Sequence, residues 1–295
     1  MSDTLRVKSR VVVRQRAGYR VQGRVGSVAA VGALVILAVI FAAPFVWLIV
    51  TALKDSSEMG AYPIHLLPLR PEWGNFGRAL TMIDYGRYAW NSFALAAIST
   101  VLTTLTSATV GFGFARLRGW GKGPLFIVML ATTMLPPILL VIPTYALFAR
   151  LGLIYNYWPW VLWGLGANPV LAFLFRQFFA GIPLDLEDAA IVDGCGYGRI
   201  FWRIFLPLSK PVLATAAILS FQWTWDDWFR PLLFLTGDNT TLSVAMSGGY
   251  SDTSGHAFTN ILSAGTIFYT LPVIVLFFLA QRYFVQGIVT TGLKG

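Results

Sequence analysis

Residue types able to carry out chemistry are few in this chain and unevenly placed. Of 295 residues only 13 are acidic, two are histidines (His65 and His256) and one is a cysteine, Cys195. A single thiol excludes an internal disulfide, and one cysteine with two histidines does not make an ordinary metal site from those ligand types. A phosphate-cradling loop needs a lysine after glycine and before Ser or Thr. Only Lys122 follows a glycine, and Gly123 stands where the hydroxyl is required. No G-x-S-x-G elbow is present either. The chain is therefore expected to hold no cofactor and to perform no catalysis of its own. Two polar groups remain for other work. One is the stretch EDAAIVDGCGYGRIFWRIFLPLSKP, residues 187–211, with Glu187, Asp188 and Asp193 ahead of Arg199, Arg203 and Lys210; the other is Asp226, Asp227 and Arg230.

These groups sit in a chain that is 56% hydrophobic and 12% charged, where a soluble domain carries about 25% charged residues. A membrane-spanning helix needs about 20 mostly apolar residues, and six stretches qualify: roughly 27–53, 90–115, 124–148, 158–179, 211–235 and 262–284. The first is too long for a signal-peptide core and is followed by Lys54-Asp55 instead of a small-residue cleavage site, so it reads as a retained span. The third is interrupted by Pro136, Pro137 and Pro143, and the fourth by Gly164, Gly166, Asn168 and Pro169, breaks that free backbone carbonyls and supply hinges or cavity walls. The reading is an all-α polytopic membrane protein with six transmembrane helices.

Net charge is +9, which nucleic acid or an anionic membrane surface would attract, and placement decides between them. Seven of the 22 basic residues precede Gly26, three follow the second stretch (Arg116, Arg118, Lys122), and Arg176, Arg199, Arg203 and Lys210 follow or close the fourth. By the positive-inside rule this places both termini and the 187–211 stretch in the cytoplasm. The charge is topology, with membrane lipid as its partner and no nucleic acid. Residues 1–26 form a basic cytoplasmic tail and 27–295 one membrane domain, whose long outer loops, 54–89 and 237–261, are candidate docking sites for an extracytoplasmic partner.

Within 181–211 the local signals are those of a short helix pair. Pro183 suits a first helical position, and Asp185, Glu187 and Asp188 set negative charge against the positive end of the helix dipole. Ala189 and Ala190 keep one face smooth, and Gly194 supplies a stop at positive φ. Ile200, Phe201, Ile204 and Phe205 then recur at helical spacing until Pro207 and Pro211 close the pattern. On composition alone the pair serves equally well as an amphipathic connector.

The spacing Asp188-Ala189-Ala190, Gly194, Ile204-x-Leu206-Pro207 resembles the EAA loop of ABC-importer permeases, E-A-A-x3-G-x9-I-x-L-P, with Asp188 in place of Glu. The segments PPILLVIPTYALFARLGLIYNYWPWVL, FQWTWDDWFRPLLFL and QRYFVQGIVTTGLKG are similar to the maltose-system MalG type, so that the resemblance runs over about residues 27–295. It implies a MalG/MetI-like type I importer permease of the bacterial inner membrane, in which Glu187, Asp188, Ala189, Ala190, Asp193, Gly194, Ile204, Leu206 and Pro207 couple to an ATPase. It further implies that the tail 285–295, through Gly292, Leu293, Lys294 and Gly295, makes a second contact. The partners so implied are a second, homologous permease, a dimeric cytoplasmic ATPase holding ATP and Mg, and an extracytoplasmic solute-binding protein. The solute class implied is a sugar; a polyol, glycerophosphodiester or amino acid, and a secondary carrier in place of an ABC permease, are the alternatives.

Charge inside a span is expensive and usually faces a cavity or a partner charge. Asp226 stands four residues before Arg230, the favourable order for a helical ion pair, so a purely structural Asp226–Arg230 pair is one reading. In the other, Gln222, Trp223, Trp225, Asp226, Asp227 and Arg230 line the path of a polyhydroxylated solute, since carboxylates accept from vicinal hydroxyls and indole faces cover a sugar's C–H face.

Overall fold

The structure, a computed structural model, describes residues 30–252 and 254–292. The basic tail 1–26 and the terminal Leu293, Lys294 and Gly295 lie outside these residues. Among the described residues the elements are helices, with one isolated bridge between Ser251 and Ala257. The chain divides into two units, residues 1–72 and 73–295.

In the first unit the apolar run forms α1 (Ala30–Ala52), whose Leu34, Phe41 and Phe45 stand exposed as lipid-facing side chains would. A single 3-10 turn follows over Ser56–Glu58, closed by a capping box: Asp55 accepts from Ser57 N at 2.8 Å and Glu58 from Asp55 N at 3.3 Å. The Lys54 ammonium donates to His65 O at 2.6 Å.

The second unit is arranged around one long helix. After α2 (Gly74–Thr81), α3 runs over Tyr85–Arg116, 32 residues or about 48 Å, well beyond the ~30 Å hydrocarbon core. Its buried face is mostly small residues, among them Ala96, Ser99, Ser107, Ala108 and Gly111, with Tyr85, Leu95 and Phe112 as the large ones. Because lipid tails are as apolar as leucine, such helices associate through close backbone packing, which small residues permit. α3 packs against α6 (Trp158–Leu165), α7 (Pro169–Ala180) and α11 (Lys210–Trp225).

Among the described residues four stretches are long and apolar enough to cross a membrane, or six if each of two bent helix pairs counts as one span. α4 (Lys122–Ala131) and α5 (Val141–Arg150), each extended by a 3-10 turn, meet at 94° at Leu135-Pro136, because Pro136 has no N–H to continue the ladder and the two prolines hold Leu135 and Pro136 extended. α6 and α7 together make one span, Trp158–Ala180. At its break Ala167 has φ 53°, and Asn168 caps α7 by accepting from Val170 N and Leu171 N.

After α8 (Leu184–Val192), α9 (Tyr197–Ile200) passes through a π-helical turn, Phe201–Phe205, into α10 (Leu206–Leu208). This run meets α11 at 83°. Ser209 at the corner is fully buried and donates to Phe205 O at 2.5 Å. The chain ends with α12 (Phe229–Phe234), α13 (Leu242–Gly249) and α14 (Thr259–Gly292).

The fifth expected stretch, which holds Asp226, Asp227 and Arg230, is interrupted at these charges. The stretch 211–235 is not one helix: α11 stops at Trp225, and Asp227 Oδ1 accepts from Arg230 N at 3.2 Å to start α12 afresh. Proline at the expected start does not break α11, because Pro211 is the second residue of that helix, in the first turn, where the missing N–H is not used; Pro207 likewise stands second in α10. Among the described residues two apolar clusters pack the unit. Phe112, Phe175, Phe179, Phe201 and Phe205 form one beside α8; Leu95, Phe148, Trp160 and Phe234 form the other at the opposite end of α3.

Candidate functional site

α8 is short, and its position is set by its two ends. Pro183 stands at the N-cap, one place before the expected first position, with φ −56° and ψ 140°; Asp185 and Glu187 fall in the first turn. At the other end Gly194 has φ +77°. Its N–H donates to Ile191 O at 2.9 Å and that of Cys195 to Ala190 O at 2.9 Å, the paired bonds of a Schellman stop. Cys195 and Ala190 both pack on the phenylalanine cluster, which gives this cysteine a packing role.

The faces of α8 differ sharply. Asp188, Ala189, Ile191, Val192 and Asp193 are exposed, and Val192 reaches 87%. Glu187 and Ala190 are buried, as are Ile200 and Phe205 behind them, while Ile204 and Leu206 pack half-buried on the same cluster and Pro207 is exposed. Of the adjacent acids Glu187 and Asp188, only Asp188 is therefore presented outward. Glu187 turns inward and pairs with Arg116, Oε2 to Nη1 at 3.5 Å, with both side chains under a tenth exposed. Glu187, expected among the ATPase-coupling residues, is thus buried against Arg116 in this packing, with no free face on its carboxylate.

Arg116 was legible only as a topological cation. In the fold its Nη2 donates to Phe179 O at 2.6 Å and to Ile182 O, and its guanidinium lies 4.9 Å from the centre of the Phe205 ring. Its place in the last turn of a span, three residues beyond Gly113, carries no signal for these partners. They come from α7, the α7–α8 connection and the π-turn.

The second candidate group divides as well. Gln222, Trp223 and Asp226 are exposed. Trp225 is buried: it stacks on Phe221, its Nε1 donates to Tyr269 O at 3.2 Å, and the Tyr269 hydroxyl donates back to Trp225 O at 2.7 Å. Trp225 therefore joins α11 to α14 and does not line a path. The expected Asp226–Arg230 ion pair is replaced by Asp227–Arg230, Oδ2 to Nε at 2.5 Å. The helix that would align positions four apart ends before Asp226. Arg230 also lies over the Trp163 ring at 5.1 Å, and Asp226 accepts from the Tyr269 hydroxyl at 3.3 Å. Tyr269 was missed because a lone tyrosine in a hydrophobic run looks like any other lipid-facing aromatic.

At the α13 end, Arg87 pairs with Asp238 at 2.7 Å and donates to its carbonyl, and Asn91 donates to Thr240 O at 3.1 Å. Burial pushes the Tyr250 hydroxyl up to about 12; it donates to Ala79 O at 2.6 Å. The 237–261 segment is thus tied down at several points.

Comparison with known proteins agrees with this arrangement. AraQ of Bacillus subtilis, an arabinooligosaccharides transport system permease protein, is 31% identical over 88% of this chain and 92% of its own. LacG of Rhizobium radiobacter, a lactose transport system permease protein, is 30% identical over 83% and 88%. A crystal structure of a bacterial ABC transporter involved in alginate import superposes with a TM-score of 0.71 at 22% identity, covering 88% of this chain and 97% of that one. The family described as binding-protein-dependent transport system inner membrane component matches residues 107–290, from the last third of α3 to the last turn of α14, and the chain, with its bent helix pairs and Gly194-stopped α8, belongs to that family.

Proposed function

We propose that this ABC-importer permease carries a sugar, an oligosaccharide or related polyhydroxylated solute, across the inner membrane. An extracytoplasmic binding protein delivers the solute, a second homologous permease completes the path, and a dimeric cytoplasmic ATPase, with its own ATP and Mg, supplies the work. The observation that carries the reading is the two-faced α8, which offers Asp188, Ala189, Ile191 and Val192 outward while its rear is anchored. A helix that is exposed on one side and fixed on the other suits a partner that pushes. Tail cations on the cytoplasmic side follow from the positive-inside rule, and the tail residues Gly292 to Gly295 provide the second ATPase contact.

The mechanism is alternating access. Closure of the nucleotide-bound ATPase subunits displaces α8, the spans rock, and a cavity opens outward to receive solute; hydrolysis resets the arrangement. Gln222, Trp223 and Asp226 present an amide, an indole and a carboxylate toward that path, groups that suit hydroxyls and the C–H face of a sugar ring. The sugar assignment draws support from the relatives that serve arabinooligosaccharides and lactose.

The test is reconstitution of the complex in vesicles with candidate binding protein. ATP hydrolysis is expected to rise when the binding protein is loaded with an oligosaccharide. Stimulation by glycerophosphodiester or amino acid in its place overturns the sugar assignment, and accumulation of solute by this polypeptide alone, without nucleotide, overturns the whole reading.

A further inference from the structure

A helix that is pushed moves a membrane span only if something stiffer than its loops joins the two. Turns flank α8 on both sides, Gly181 to Pro183 before it and Gly194 to Gly196 after it. The rigid link is lateral. Glu187 on the buried face meets Arg116, the last residue of α3, and Arg116 at once donates to the carbonyls of Phe179 and Ile182 and covers the Phe205 ring. One side chain therefore touches α3, the end of α7, α8 and the turn that leads to α11. With both members buried, water and salt screen the pair little. The planar guanidinium fork fixes directions that a lysine point charge would leave free.

We propose that Arg116, held by Glu187, is the positioning residue through which displacement of α8 enters α3, so that Glu187 serves an internal joint and Asp188 the outer contact. This rests on the importer reading and concerns where motion passes, by a contiguous chain made of the Glu187–Arg116 ion pair, the hydrogen bonds that Arg116 donates to Phe179 O and Ile182 O, and packing.

In the reconstituted complex of both permeases and the ATPase, the quantity to measure is solute transported per ATP hydrolysed. Glu187→Gln and Arg116→Gln are each expected to lower that ratio about tenfold, the scale of an ordinary coupling free energy. The double variant is expected to be no worse than either single one, since a joint is broken only once. Arg116→Lys, which keeps the charge without the fork, should recover part of the ratio. Losses that multiply in the double variant overturn the proposal. So does a Glu187→Gln complex that sheds its ATPase at an unchanged ratio, the behaviour expected of the outward Asp188→Asn. Where the neutral variants do not accumulate in membranes, Arg116→Lys and Glu187→Asp carry the same cycle with both charges kept. Failure of the importer reading would show elsewhere, in a wild-type complex whose transport ignores ATP.

Discussion

Gly111 of α3 faces Phe175 of α7 so closely that a methyl group added at Gly111 would lie 2.6 Å from Phe175 Cβ and 2.9 Å from Ala172 O. Both obstacles belong to the facing helix, one a Cβ and the other backbone, so neither can swing aside. Gly111→Ala is expected to force α3 and α7 apart at a cost of about 1–3 kcal/mol, the usual range for overpacking. Gly113→Ala, two residues on, meets open space and should be neutral. Thermal unfolding of the purified complex in detergent checks the pair, with a lowered midpoint for the first variant only.

Gly194 poses the opposite problem. Nothing lies within 4 Å of a Cβ placed there, but its φ of +77° is the left-handed region, which costs an ordinary L-residue about 1–2 kcal/mol. Gly194→Val should insert in the membrane and fail in uptake, because the Schellman stop that sets the exit of α8 is lost. Gly194→Asn should retain uptake, since asparagine tolerates that conformation. Uptake in cells, with membrane content followed by immunoblot, separates the two.

Asp226 and Asp227 are adjacent in sequence and differ in environment. Asp227 is paired with Arg230 at 2.5 Å, and Asp227→Asn should cost up to about 1 kcal/mol of stability through the lost ion pair. Asp226 is exposed beside Tyr269. Asp226→Asn should shift the apparent affinity for solute and leave the melting temperature in place. Transport kinetics and calorimetry of both variants, measured side by side, test the division.

The 237–261 segment carries a pH dependence of definite sign. Backbone donation from His256 and Ser254, at 2.8 Å each, and the His256 ring at 3.2 Å hold the Asp252 carboxyl below the usual carboxylate range. A group whose folded pKa is depressed stabilises the fold fully above its unfolded value, near 3.9, and loses that contribution as pH falls through the lower folded value. Amide protection at Ser254 and His256 should therefore decline as the medium is acidified below about pH 4. Asp252→Asn should abolish that pH dependence. Hydrogen exchange at a series of pH values measures both.

Much of this protein was legible in its residues. Runs of about 20 apolar residues announce spans because the bilayer leaves backbone groups no partner but their own helix. The spacing from Asp188 to Pro207 announces α8 and its continuation, since helix propensity, a glycine stop and short-range periodicity are local properties. The stop at Gly194 appears where expected for that reason, with φ +77°.

Only the tertiary structure decided which of two neighbouring acids turns inward. Glu187 and Asp188 differ by one methylene and one position, and about 100° of helical rotation sends the first to Arg116 and leaves the second exposed. It decided also that Arg230 pairs with Asp227, because a helix end at Trp225 removes the alignment that four-residue spacing assumes. Trp225 and Tyr269 exchange hydrogen bonds across 44 positions of sequence, and no local pattern carries that information. Periodicity tells which residues can share a face, whereas the neighbour brought against that face depends on how distant helices pack.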